Sequence, residues 1–107
     1  MTTFEDRLSG FEAKYAHDEE MQFKAQARAN KLLGLWAAGL LGKSGDEADA
    51  YAKEIVKADF EEAGHEDVFR RVAGDLGNRA DAKTIRGMMI ETLAKAKQDL
   101  MAEKDQD

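Results

Sequence analysis

Cysteine and proline are both absent from this chain of 107 residues. Without cysteine, neither a disulfide nor a thiolate metal site can form. Proline disrupts helix interiors, so its absence from a chain rich in alanine, glutamate and lysine favours helices throughout. A chain of this length suits one domain rather than two. We therefore predict an all-α protein that folds as a single bundle of helices.

Long apolar runs and an excess of positive charge are lacking as well. The longest apolar stretch, residues 32–41, covers about ten residues and is too short to cross a bilayer. The N-terminus lacks the basic and apolar regions of a secretory signal. A formal net charge of −6 argues against nucleic acid and anionic membrane surfaces as partners. We expect a cytoplasmic protein that does not insert into a membrane and is a monomer when free.

Apolar periodicity divides the chain into a mobile N-terminal arm, residues 1–17, and a four-helix bundle, residues 18–107. Capping residues and glycine stops set the predicted helix ends. The four predicted helices run from Asp18 to Leu41, from the Ser44 capping box to Gly64, from His65 to Gly77, and from the Asp81 N-cap to Leu100, before a frayed polar tail. Their predicted inward faces include Phe23, Leu33, Trp36, Leu40, Tyr51, Ile55, Phe60, Val68, Leu76, Ile85 and Leu93.

The arm carries an apolar stripe at the spacing of one helix face, formed by Phe4, Leu8, Phe11 and Tyr15. Acidic residues dominate its polar positions, and Gly10 costs roughly 1 kcal/mol in a helix interior. An isolated helix of this length is marginal in water. Two interpretations follow: the arm folds back as an extension of the first bundle helix, or it orders in the groove of a partner. We favour the partner groove.

Residue groupings that carry chemistry are few. The run from Gly42 to Ser44 resembles the end of a phosphate-binding loop, but Ala37 occupies a position where that loop needs glycine. His17 and His65 lie beside carboxylates, yet neither has a second histidine at helical spacing, as a metal site would favour. A solvated His17 and a pH-sensing His17 remain alternatives. The sequence predicts a protein that is not an enzyme and that needs no cofactor or metal.

A basic stripe on the first bundle helix has two interpretations. Lys24, Arg28 and Lys31 follow one another at helical spacing, as on an ordinary solvated face. An alternative is a weak adenine-nucleotide site on the bundle, formed by Arg28, Lys31 or Lys43. Another alternative is a helical adaptor of some other complex, with the arm as its docking helix.

Four stretches of sequence resemble one protein family. They are residues 11–18 (FEAKYAHD), 30–38 (NKLLGLWAA), 40–43 (LLGK) and 56–68 (VKADFEEAGHEDV). These stretches are similar to the zeta subunit of the alphaproteobacterial F-type ATP synthase, and the resemblance covers nearly the whole chain. It implies a non-catalytic inhibitor of ATP hydrolysis, built as a four-helix bundle with a mobile N-terminal inhibitory region.

The resemblance also implies where the arm acts. It would become a helix at a catalytic interface between alpha and beta subunits, near the gamma stalk, and block rotation in the hydrolytic direction. The protein would then be held at the cytoplasmic face of the inner membrane through the ATP synthase. Carried onto this chain, the implied partner-binding residues are Phe4, Leu8, Phe11 and Tyr15 as apolar anchors, with Glu5, Asp6, Arg7, Glu12 and Lys14 as polar contacts.

Overall fold

The computed structural model describes residues 10–61 and 65–105. Residues 10–15 are helical and are named α1 here. The remaining elements are α2 (Glu19–Leu40), α3 (Gly45–Glu61), α4 (Glu66–Leu76), a short 3₁₀ turn (Gly77–Arg79) and α5 (Ala82–Asp105). The described ranges contain no strand. The predicted all-α fold with a four-helix bundle is therefore confirmed, with α2 to α5 as the bundle helices.

Both ends of α2 follow from local chemistry. At its start, the Asp18 carboxylate accepts a hydrogen bond of 3.1 Å from a backbone amide of the first turn. At its end, the amide of Lys43 donates to the carbonyl of Ala38 at 2.9 Å, and that of Gly42 to Gly39 at 3.1 Å. This pattern is a Schellman motif, which needs a residue with positive φ. Gly42 supplies it, with φ at +80°.

The starts of α3 and α5 differ in how well the sequence predicts them. The Asp81 carboxylate accepts a 2.8 Å hydrogen bond from the amide of Thr84, so this predicted N-cap is confirmed. At α3, the amide of Glu47 donates to the backbone carbonyl of Ser44 at 3.2 Å, where the capping box predicted the Ser44 hydroxyl. The backbone turn therefore takes the place of the predicted side-chain bond.

The predicted end of the last helix at Leu100 was wrong, because α5 continues to Asp105. The guanidinium of Arg28 donates two hydrogen bonds to the Glu103 carboxylate, at 2.5 and 3.2 Å. This paired contact holds the last turns of α5 against α2. A polar sequence predicted a frayed tail, but a contact with a distant helix keeps the segment helical.

The main core lies where α2, α3, α4 and the start of α5 meet. A hydrogen-bond network borders it on α3 and α4, where the Tyr51 hydroxyl donates to Asp75 at 2.8 Å. Burial and this bond raise the pKa of Tyr51. The side chain of Phe60, a predicted core residue, lies outside the described part of the chain. The buried members of the main core are Leu33, Ala37, Ala38, Tyr51, Ile55, Val68, Val72, Leu76 and Ile85.

The face that α2 buries is richer in small residues than predicted, because Ala25, Ala29 and Gly34 are buried there. Phe23 and Leu40 were predicted to point inward, yet they are 53% and 41% exposed. Phe23 lies two positions after Met21, which is about 200° around the helix, so only one of the two can face the bundle. The buried residues at steps of four are Met21, Ala25, Ala29, Leu33 and Ala37.

Small side chains on that face allow α2 and α3 to approach closely. A Cβ atom added at Gly34 would lie 2.7 Å from the Cα atom of Ala52 and 3.3 Å from the side chain of Ile55. Because the nearest atom belongs to the backbone of α3, no side-chain movement can relieve that contact. Gly34 therefore sets the spacing between the two helices.

Candidate partner-binding site

Residues 10–15 bring two aromatic residues of the predicted arm onto the bundle. Phe11 and Tyr15 are one helical turn apart, and their rings lie 5.1 Å apart between centroids at an angle of 54°. Both are buried, Phe11 completely and Tyr15 to 7% exposure. The described part of the arm therefore packs against the bundle, as in the first of the two interpretations given above.

A cleft between α2 and α5 receives these two rings. We call it the arm cleft; it is lined by Met21 and Ala25 of α2 and by Leu93, Leu100 and Met101 of α5. Phe11 and Tyr15 together with the arm cleft form the arm cluster, which is separate from the main core. Among residues 10–61 and 65–105 the bundle thus has two apolar regions, and only one of them includes residues of the arm.

Polar contacts fasten α1 over the cleft. The Lys97 ammonium of α5 pairs with the Glu12 carboxylate and lies 5.6 Å from the centroid of the Phe11 ring. That ring distance is within the range of a cation–π contact. The carbonyl of Tyr15 accepts a 2.8 Å hydrogen bond from the side-chain amide of Gln22. Since the Lys97 side chain is only 13% exposed, its pairing is better shielded from solvent than an ordinary surface ion pair.

The predicted partner-binding residues fall into three groups. The apolar pair Phe11 and Tyr15 faces the cleft, while Glu12 and Lys14 lie on the exposed side of α1. Lys14 also lies over the Tyr15 ring, 5.5 Å from its centroid. The other predicted residues, Phe4, Glu5, Asp6, Arg7 and Leu8, lie outside the described residues.

Sequence reasoning missed the bundle side of this contact, above all Lys97. Leu93 was predicted to face inward, and Lys97 lies one turn after it on the same helix. Nothing local distinguishes Lys97 from its neighbour Lys95, however. Its partner Glu12 is 85 residues away in sequence, and a single sequence does not reveal such a pairing.

The basic stripe on α2 does not form one phosphate-binding cluster with the loop lysine. Arg28 is engaged with Glu103. Lys43 follows the end of α2, where its amide bonds to Ala38. Arg28 lies well before Leu40, the last residue of α2, and a helical rise of 1.5 Å per residue separates the two by roughly 18 Å. Lys24 pairs with Glu20, one turn earlier on the same helix, at 3.7 Å.

Residues 10–61 and 65–105 contain neither a grouping of metal ligands nor a helix suited to span a membrane. In these ranges no group of three or more histidine, cysteine, aspartate or glutamate residues comes together as a metal site. The His65 ring nitrogen Nδ1 lies 3.0 Å from the Asp59 carboxylate, an isolated contact. No helix in the described part combines the length and apolar character needed to cross a membrane.

Comparison with known proteins identifies the family of this chain. A family model described as ATPase inhibitor subunit zeta matches residues 1–99. The chain belongs to this family. The matched range includes the whole arm, α2 to α4 and most of α5, so the predicted resemblance to the zeta subunit is confirmed.

A solved structure supports the same fold for this zeta-family chain. It is a solution NMR structure of a protein 61% identical in sequence, with a TM-score of 0.72. The similarity covers 78% of this chain and 98% of that chain. A comparison with curated proteins found no match. The family assignment supports a role as an inhibitor that associates with the ATP synthase, and it suggests a non-catalytic protein.

Proposed function

We propose that this zeta-family chain inhibits ATP hydrolysis by the F-type ATP synthase, and that its arm, residues 1–17, is the inhibitory element. The observation that carries the proposal is the family match over residues 1–99, which includes every candidate residue of the arm. The bundle, residues 18–107, would act as a support. In this proposal the protein performs no chemistry of its own and is held at the cytoplasmic face of the inner membrane through the ATP synthase.

The mechanism proposed is a steric block of rotation. The arm would bind as a helix at an interface between alpha and beta subunits, close to the gamma stalk. Phe4, Leu8, Phe11 and Tyr15 would anchor it, because large apolar side chains carry most of the energy of a helix in a groove. Glu5, Asp6, Arg7, Glu12 and Lys14 would make the polar contacts around these anchors.

The helix of residues 10–15 supports this mechanism in one respect. Ordering a residue costs roughly 1–2 kcal/mol, so a segment that folds only on binding loses much of its contact energy. Here six residues are already helical, and the aromatic pair already lies on one face of that helix. On the bundle, this segment therefore adopts the helical conformation that the proposed anchors require.

The test is ATP hydrolysis by the F-type ATPase of the source organism, stripped of its own copy of this subunit. The full chain and a chain lacking residues 1–17 are titrated in parallel. Inhibition by the full chain alone is the expected result. Inhibition by neither chain would disprove the proposed function, and equal inhibition by both would place the inhibitory surface on the bundle.

A point variant sharpens this test. Phe4→Ala should raise the half-inhibitory concentration by about tenfold or more, as expected for an aromatic anchor. The matched control is Phe23→Ala, which removes the same side chain from a 53% exposed position on α2. Equal effects of the two substitutions would contradict a specific role for the arm.

A further inference from the structure

We propose that the arm cleft is a storage site for the arm, and that Lys97 is the latch that keeps the arm docked there and out of reach of its partner. This inference rests on the proposed function, because it concerns the regulation of the same segment. The reasoning starts from a conflict between two roles. Phe11 and Tyr15 are buried inside this chain, and buried rings cannot anchor in another protein. The arm must therefore leave the cleft before these two residues can bind a partner.

The bundle can stay folded when the arm leaves the cleft. The main core takes its buried residues from α2 to α5 and none from α1. The first turn of α2 is capped by Asp18, whose carboxylate bond at 3.1 Å does not involve the arm. The walls of the cleft are joined by Arg28 of α2 and Glu103 of α5. Opening would thus expose the arm cluster and leave the main core closed.

The connection between α1 and α2 supplies a hinge. Ala16 and His17 form a non-helical turn, and Asp18 is extended, with φ at −94° and ψ at 99°. Two hydrogen bonds cross this connection, and the Tyr15 carbonyl of α1 accepts both: one from the Asp18 amide at 3.0 Å and one from the Gln22 side chain of α2 at 2.8 Å. Both donors are near the surface, so water can replace the lost acceptor when the arm swings away.

Lys97 is the contact that acts only on the docked arm. Its ammonium pairs with the Glu12 carboxylate and lies against the Phe11 ring, and both of these residues belong to α1. It was not among the residues proposed to touch the partner. A substitution at Lys97 therefore changes docking without altering the inhibitory segment itself, which makes it the right position to test.

The experiment compares Lys97→Glu with Lys95→Glu in the full-length chain. Both substitutions make the same change of charge on α5, but Lys95 pairs with Asp99 of its own helix, at 2.9 Å. Lys97→Glu places a carboxylate beside Glu12 and should raise the undocked fraction about fivefold, the size of effect expected for one partly buried ion pair. Amide hydrogen exchange of residues 11–15 measures docking, and the half-inhibitory concentration measures its consequence.

Because the arm binds its partner only when undocked, the half-inhibitory concentration should fall by the same factor as exchange accelerates. Lys95→Glu should change neither quantity. Lys97→Gln removes the charge without reversing it and should give a smaller effect in the same direction. Circular dichroism confirms that each variant keeps the bundle folded.

Several results would overturn the storage site. Faster exchange with unchanged or weaker inhibition would mean that docking does not compete with the partner. Unchanged exchange in both Lys97 variants would mean that Lys97 is no latch. Absence of inhibition even by the unaltered chain would disprove the proposed function and the competition with it, while the exchange rates would still decide whether the cleft holds the arm.

Discussion

The main core and the arm cluster are both apolar and well buried, but they are built differently. The main core joins side chains from α2, α3, α4 and α5, so each of these helices is held by several others. The arm cluster joins α2 and α5 to a helix of which six residues are described, and that helix contributes two rings. Removing any bundle helix would open the main core, whereas removing α1 opens only the arm cluster. The comparison teaches that burial alone does not show how firmly a segment is held.

The largest expected effect comes from the main core. Ile55→Ala removes a fully buried side chain of α3 and should lower the free energy of unfolding by about 2–5 kcal/mol. Urea unfolding followed by circular dichroism measures it. Amide protection should fall in α2 to α5 together, since all four helices share this core. A loss confined to α3 would show that the main core is not one cooperative unit.

The next largest effect is expected at Gly34, which sets the spacing between α2 and α3. Gly34→Ala should lower the free energy of unfolding by about 1–3 kcal/mol, because the added methyl group meets the backbone of Ala52 at 2.7 Å. Gly39→Ala is the matched control on the same helix, where an added Cβ meets nothing within 4 Å. The control should be neutral or more stable by up to about 1 kcal/mol, as helix propensity dictates. Similar values for both variants would contradict a tight crossing at Gly34.

Phe11→Ala separates the two regions most directly. In a cooperative core the loss of a buried phenylalanine costs about 3–5 kcal/mol. We expect a smaller effect here, under about 1 kcal/mol on urea unfolding of the bundle, because α1 can undock alone. Amide protection of residues 11–15 should be lost at the same time. A global loss of several kcal/mol would show that the arm cluster and the main core unfold as one.

The sequence predicts the bounds of the bundle helices better than it predicts which side chains they bury. Periodicity and capping signals predicted the bundle helices well, because Asp18, Gly42 and Asp81 act through contacts within a few residues. The choice between Phe23 and Ala25 for the inner face of α2 was harder. Larger residues look like better core residues, but a close helix crossing selects small ones, and the crossing is a tertiary feature.

At the candidate site, too, a tertiary contact decides what the local sequence does not predict. The sequence identifies Phe11 and Tyr15 as the apolar face of a helix that packs either on the bundle or in a partner's groove. In the described structure they pack on the bundle, and this packing depends on Leu100 and Lys97, near the other end of the chain. Residues 1–9 lie outside the described part, so the roles assigned to Phe4 and Leu8 remain proposals.

Gly10→Ala has a smaller expected effect than the sequence alone suggests. Alanine favours the helix by up to about 1 kcal/mol, and its methyl group would meet only the flexible end of Met101, at 3.4 Å. Since residue 10 is already helical when α1 is docked, the substitution would stabilise the docked and the partner-bound arm alike. The half-inhibitory concentration should therefore change by less than the helix propensity predicts. A full gain of about fivefold, the equivalent of about 1 kcal/mol, would mean that the docked arm is rarely populated.

The smallest expected effect is a pH dependence at the Arg28–Glu103 pair. Hydrogen bonds from Arg28 hold the pKa of the Glu103 carboxyl below its usual range. A carboxyl with a lowered pKa in the folded state adds stability above its unfolded pKa, about 4.3, and this is lost as the pH falls through the folded value. Glu103→Gln should therefore be less stable than the unaltered chain at pH 7, and the difference should shrink towards pH 3. A difference that stays constant over that range would contradict this assignment.

The wide sequence separation of two contacts has a consequence for the order of folding. The contact between Glu12 and Lys97 spans 85 residues, and the one between Arg28 and Glu103 spans 75. A ribosome makes the arm first and the α5 wall of its cleft last, at about 5–20 residues per second. Until α5 has been synthesised, the arm has no cleft on its own chain in which to dock. Docking closes one of the widest loops in the molecule, so it belongs to the final stage of folding, after the helices that form its cleft have met.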